Sequence, residues 1–335
     1  MPARAARTGC SVRADLSSCS EAPLSHAMHQ RFARLPDGRR LAYLETGPED
    51  GPLVIYLHGA VGTPQGVCSE LEAAIDELGM RYVMVSRPGF GASDPHPGRT
   101  LLGFADDVAA LADHLGRERF AVAGVSAGGP YALACAHALP DRVAAAAVVS
   151  SMSPGCPPDL APGISPLLRV GLRAVRRLPR ACGWAGDGLL LVARRNPGLV
   201  ARTMMLFASP ADRQLLRDPE ARQLAVASFL AAAAGGVSRM IGDYLLCAAG
   251  WGFEPRDVRG HVHLWHGMQD AFVPVDIALE MASALPHVQT ALDPDEAHFF
   301  YRRRLRQIMS ELVTAVELSP PAGRPVVQQS PRAVA

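Results

Sequence analysis

Between Phe120 and Pro130 the chain reads F-A-V-A-G-V-S-A-G-G-P. An apolar, partly β-branched run stops at Gly124-Val125-Ser126-Ala127-Gly128, and a helix-forming stretch begins almost at once at Tyr131. A strand that must turn into a helix within so few residues holds the apex residue in a strained backbone conformation. Its neighbours must be small, because strand and helix nearly touch. Gly124, Ala127, Gly128 and Gly129 meet that demand. Ser126 at the apex would project its hydroxyl outward. A turn of this kind belongs in a sheet whose strands are covered by helices.

The rest of the chain supplies such a sheet. From Gln30 an alternating run, the turn Pro36-Asp37-Gly38 and a second alternating run to Gly47 predict a β-hairpin. Leu53–Leu57, Tyr82–Ser86 and Val143–Val149 are continuous apolar runs, the mark of strands buried on both faces. Helical spacing fills the gaps between them, over about 65–78 and 104–115, with Asp106 and Asp107 expected in the first turn of the second helix. Strand and helix alternating in this way predict an α/β class, doubly wound and mainly parallel. From about 152 to 255 the strand signals stop, and helices are expected near 167–178, 197–206, 211–234 and 237–248. Strands return at His261–His266 and Val288–Leu292, and an amphipathic helix follows His298.

Composition narrows the chemistry. The 335 residues are 49% hydrophobic and carry a net charge of +1, so nothing marks a nucleic-acid surface. All 33 basic residues are arginine, which excludes Schiff-base catalysis, a pyridoxal-phosphate lysine and a phosphate-loop lysine. Seven cysteines without a C-x-x-C pair suggest reduced thiols and a cytoplasmic location. Residues 1–28 lack the apolar core of a secretory signal and are expected to be a disordered extension, with Met28 an alternative start. The structured part is expected over 29–318, followed by a disordered Pro-rich tail over 319–335.

Four short motifs recur in a fixed order. They are His58-Gly59-Ala60 after the first buried strand, G-V-S-A-G at 124–128, His266-Gly267-Met268-Gln269-Asp270, and the lone His298 ahead of a helix. With the R-P-G-F-G-A-S-D segment at 87–94, they make the chain resemble the α/β-hydrolase superfamily, in its serine-esterase and proline-iminopeptidase-like branch. The resemblance covers about Arg31 to Ser310, and the region 152–255 matches the family's helical cap by position only. The segment at Arg87 departs from the family's D-x-P-G-x-G-x-S in lacking its aspartate, and is read as a structural loop.

The resemblance implies a Ser126 nucleophile, His298 as its base, Asp270 as the orienting acid, and the backbone N–H groups of Ala60 and Ala127 as the oxyanion hole. Ser150 and Ser151 follow the strand Val143–Val149, where some members place the acid, so the acid is sought later; Asp293, Asp295 and Glu296 are its alternatives. A cap implies a mostly apolar pocket and a small-molecule substrate, with an ester or related acyl compound first in line. No cofactor and no metal are expected. His261, His263 and His266 sit on one strand, whose alternation does not gather them on one face. Arg169, Arg173, Arg176, Arg177 and Arg180 form a basic amphipathic stretch, taken as a solvated helix face without stable membrane association. A carbon–carbon bond hydrolase or lyase with the same triad, and a ligand receptor of slow turnover, stay open.

Overall fold

The structure, a computed structural model, describes residues 29–62, 68–154, 159 and 161–319. The expectations for residues 1–28 and for the tail beyond 319 fall outside these residues.

Strands β1 (His29–Arg34) and β2 (Arg40–Thr46) form the expected hairpin. They join β3 (Leu53–Leu57), β4 (Arg81–Val85), β5 (Phe120–Val125), β6 (Val143–Val149), β7 (Val262–Gly267) and β8 (Val288–Asp293) in one sheet of order β1-β2-β4-β3-β5-β6-β7-β8. Pairing is antiparallel from β1 to β4 through β2 and parallel from β4 to β8. This is the doubly wound, mainly parallel sheet the apolar runs predict.

Every residue of β4 and β5 is buried, because helices cover both faces. Along β3 the side chains of Leu53, Ile55 and Leu57 enter the core beneath α2 (Leu101–His114), α3 (Gly129–Ala138) and α10 (Val275–Ala284). Val54 enters the opposite core, beneath α1 (Ser69–Leu78) and α11 (Tyr301–Leu318). Each such side chain, fully buried, stabilises the fold by about 1.5–3 kcal/mol.

Helix α2 starts three residues earlier than its spacing suggests, because the Thr100 side chain accepts from the Gly103 N–H at 2.9 Å. Asp106 and Asp107 therefore lie beyond the first turn. Asp107 instead takes a two-pronged ion pair from Arg39 in the hairpin turn, at 2.6 and 3.0 Å.

Between β6 and β7 the described elements are helical: α4 (Pro166–Arg177), α5 (Pro179–Arg195), α6 (Pro197–Phe207), α7 (Pro210–Leu215), α8 (Pro219–Ala232) and α9 (Val237–Ala248). Two expectations are corrected here. The single helix expected over 211–234 is broken at Asp218-Pro219, where the Asp218 carboxylate caps α8 through the Ala221 N–H at 2.8 Å. Helix α5 was not anticipated, since Gly183, Gly186 and Gly188 lower its helix propensity. Its packing on α9 explains two of these glycines, because a Cβ at Gly183 or Gly186 would collide with Ser238 or Val237.

Candidate active site

The site is assembled at the C-terminal ends of the central parallel strands. Ser126 follows β5 with φ at +56°, and Ser150 follows its neighbour β6 with φ at +47°; they are the two non-glycine residues of positive φ among those described. Such a conformation costs on the order of 1–3 kcal/mol and persists only where the surroundings enforce it. The enforcement at Ser126 is steric: a Cβ on Gly128 would collide with the Leu57 carbonyl, and one on Gly59 would lie 3.3 Å from the Ser126 Cβ. The elbow and the His58–Ala60 turn are therefore in direct contact.

Asp270 and His298 meet as the motif order implies. Past β7 the chain folds back so that Asp270 Oδ1 accepts from the Phe272 and Val273 N–H groups, both at 2.8 Å. Its Oδ2 lies 2.7 Å from His298 Nδ1, and both residues are buried. Burial disfavours an imidazolium, but the charge and hydrogen bond of Asp270, with a further contribution from Asp212, outweigh it and raise the His298 pKa above its ordinary 6.5. The alternative acids are engaged elsewhere. Asp293 pairs with Arg304, Glu296 pairs with Arg303, and Asp295 is exposed.

The three strand histidines separate as the alternation predicts. His261 is exposed, His263 Nδ1 lies 2.8 Å from Glu311, and His266 is buried with Nε2 donating to the Val273 carbonyl at 2.9 Å. Among the described residues no three His, Cys, Asp or Glu side chains converge as a metal site.

Ser126 and His298 line one cavity of about 190 Å³. Gly59 lines it from the turn, Met204 and Leu224 from the cap, and Arg302 from α11. The walls are chiefly apolar, and the volume accommodates a group of roughly benzene size.

The family described as alpha/beta hydrolase fold matches residues 52–175. The chain is 33% identical over 120 residues to a non-heme chloroperoxidase of Streptomyces lividans, a match covering 35% of this chain and 43% of that relative. It thus spans less than half the relative's length. A thermophilic esterase from Thermogutta terrifontis is similar with a TM-score of 0.60 at 23% identity, over 87% of this chain and 99% of that one. The esterase RhEst1 from Rhodococcus is similar with a TM-score of 0.63 at 20% identity, over 87% and 99%. The chain has the α/β-hydrolase fold.

Within that fold, three charged residues around the site escaped sequence reasoning. Arg87 is completely buried, not merely part of a loop. Its Nη1 donates to the His58 carbonyl, and its Nη2 donates to the Gly59 carbonyl at 3.1 Å and to Asp243 Oδ2 at 2.6 Å. Asp243 comes from the cap helix α9 and also accepts from Arg99 at 2.8 Å and from the Tyr131 hydroxyl at 2.7 Å. Burial alone would raise its pKa, but the two guanidinium groups and the hydroxyl hold it below the usual carboxylate range. His58 is pushed down to about 3, by burial first and Arg87 second, so it stays neutral. A signal existed, for Asp243 is the one acid in an otherwise apolar stretch of α9.

Asp212, in the short cap helix α7, accepts from the backbone N–H of His298 at 3.2 Å and of Phe299 at 2.9 Å. Nothing in its local sequence marks it. Ser150, read only as a place the acid does not occupy, donates its hydroxyl to the His298 carbonyl at 3.3 Å.

Proposed function

We propose that this chain is a serine hydrolase of small, largely apolar carboxylic esters or related acyl compounds. The observation that carries the reading is a convergence on one cavity: a serine held in strained backbone, and a histidine whose Nδ1 lies 2.7 Å from a buried carboxylate. With Nδ1–H donated to Asp270, His298 Nε2 is left unprotonated. It takes the proton as Ser126 Oγ adds to the substrate carbonyl, and returns that proton to the departing alkoxide. Water then adds to the acyl-serine and gives a proton to the same nitrogen, which passes it to Ser126 Oγ as the carboxylic acid departs.

The N–H groups of Ala60 and Ala127 are the proposed oxyanion donors, each commonly worth about 3 kcal/mol in such enzymes. Arg87 supports this role by binding the two carbonyls just ahead of Ala60. An ester substrate suits the apolar cavity wall, and the two esterases of the same fold agree with it.

A fluorophosphonate probe tests the nucleophile. It is expected to label wild-type protein at Ser126, and Ser126→Ala is expected to lose labelling and p-nitrophenyl ester turnover while keeping its circular-dichroism spectrum. Labelling that survives the substitution defeats the assignment. Turnover of a proline anilide or a vinylogous diketone in preference to the esters would move the reaction to a peptide or carbon–carbon bond.

A further inference from the structure

The outward side of the cap has a composition that its charges alone do not explain. Among the described residues fourteen large apolar side chains are exposed, and nine of them fall between 167 and 206. On α4, Leu167 and Val170 are 60% and 65% exposed, and Leu178 at its end is 61% exposed. On α5, Trp184 is 74% exposed, and Leu191 and Val192 are both more than half exposed. Trp184, Leu191 and Val192 are seven and eight residues apart, so they fall within one arc of the helix. The two apolar stripes meet at Leu178, the residue that ends α4 and precedes α5.

The same segment is strongly basic. Residues 161–211 contain eight arginines and one aspartate, in a chain whose net charge is only +1. That aspartate, Asp187, accepts from the Val237 N–H at 2.6 Å and faces the neighbouring cap helix. Arg173, Arg177, Arg180, Arg194 and Arg195 are all exposed beside the apolar residues. A solvated helix face accounts for the arginines but leaves the leucines and the tryptophan in water. A second copy of the chain would bury the apolar residues while opposing one set of arginines to another, which costs energy. A bilayer with anionic headgroups satisfies both, because acyl chains receive the leucines and tryptophan while phosphates receive the guanidinium groups.

We infer that α4 and α5 form a docking surface for an anionic lipid bilayer, on which the protein rests without spanning it. Among the described residues no single helix is long and apolar enough to cross a membrane. The docked helices directly precede α6, which supplies Met204 to the cavity wall. The surface therefore belongs to the same run of helices that encloses the cavity.

Trp184 makes the inference testable without a label, since the other two tryptophans, Trp251 and Trp265, are buried. Full-length protein is mixed with vesicles of equimolar phosphatidylcholine and phosphatidylglycerol, and separately with phosphatidylcholine alone. Co-sedimentation and a blue shift of tryptophan emission are expected with the anionic vesicles, weakening as salt is raised. Trp184→Phe is expected to abolish the shift while retaining most of the binding. Replacing Arg173, Arg177 and Arg180 with Gln is expected to weaken binding by about fivefold per arginine. Leu178→Ser with Leu191→Ser is expected to weaken it by on the order of tenfold or more. None of these positions lines the cavity, so ester turnover in solution serves as the folding control. Absence of binding, or equal binding to both vesicle types, overturns the inference. So does a concentration-dependent dimer that the leucine substitutions dissociate in the absence of lipid, because it would assign the face to a second copy.

Discussion

Helix α3 buries eight of its ten residues, Gly129–Ala136, whereas α4, two residues longer, buries none. The first is apolar nearly all round because the sheet lies on one side and neighbouring helices enclose the rest. The second carries arginine at every third or fourth position and is only half covered even along its inner side. The difference teaches how the two parts are held. The sheet and its helices are held by apolar area on two faces, while the cap is fastened to them by a smaller apolar contact, Phe90 with Leu190 and Met240 and Cys247 in the main core, and by a few buried charges. Asp243 ties α9 to Arg87 and Arg99, and Asp212 ties α7 to the His298 loop.

Hydrogen exchange gives the sharpest contrast. Amides of α3 are expected to open only with global unfolding, and those of α4 through local fraying, so their protection should differ by on the order of 10⁴-fold. Similar protection in the two helices in free solution would mean that α4 has a partner, and would break the comparison.

The next effect concerns the buried ionic fastening. Arg87→Met leaves the Asp243 carboxylate with Arg99 and Tyr131 alone and frees the His58 and Gly59 carbonyls. Loss of one member of a buried pair commonly costs about 3–5 kcal/mol. Urea unfolding is expected to show a loss of this size. Ester kcat should fall further than the loss of folded protein explains, because the turn carrying Ala60 loses its support. Arg87→Lys is expected to restore part of the stability but little of the rate, since an ammonium cannot bind two carbonyls and a carboxylate in one plane. A variant with normal kcat per folded molecule would show that Arg87 serves the fold alone.

This division also decides what could be read from the sequence. The sheet was legible because strands buried on both faces must be continuously apolar, and the elbow because Gly128 has no room for a side chain. The place of Ser126 at the elbow, and the meeting of Asp270 with His298, were legible through motif order along that scaffold. The cap offers no such constraint. Its α5 contains three glycines, of which Gly183 and Gly186 have their value in packing on α9, and the break before α8 falls at Asp218-Pro219, inside the single helix expected over 211–234. Asp212, Asp243 and Arg87 act through contacts 28 to 156 residues distant in sequence, which no local pattern encodes. Asp243 left a trace, as an acid in an apolar helix, and Arg87 another, at the departure of its segment from the family's pattern.

The smallest effect tests whether the cap reaches the chemistry or merely covers it. In the proposed mechanism His298 must be neutral to accept the Ser126 proton, and its pKa is raised, so kcat/KM should climb with pH through a midpoint above 6.5 and then level off. Part of that elevation comes from Asp212, whose own pKa burial raises above the usual carboxylate range despite the neighbouring imidazolium. Asp212→Asn keeps an oxygen for one of the two backbone N–H groups but removes the charge. The imidazolium then loses one stabilising neighbour, and the limb should move to lower pH. The plateau rate should fall by less than about tenfold, whereas Asp270→Asn, which removes the orienting partner, should cost about 10⁴. A limb that stays in place while the plateau drops would reduce Asp212 to a structural clasp. A limb that moves with the plateau nearly unchanged would make it a positioning residue, through which the cap adjusts the basicity of His298.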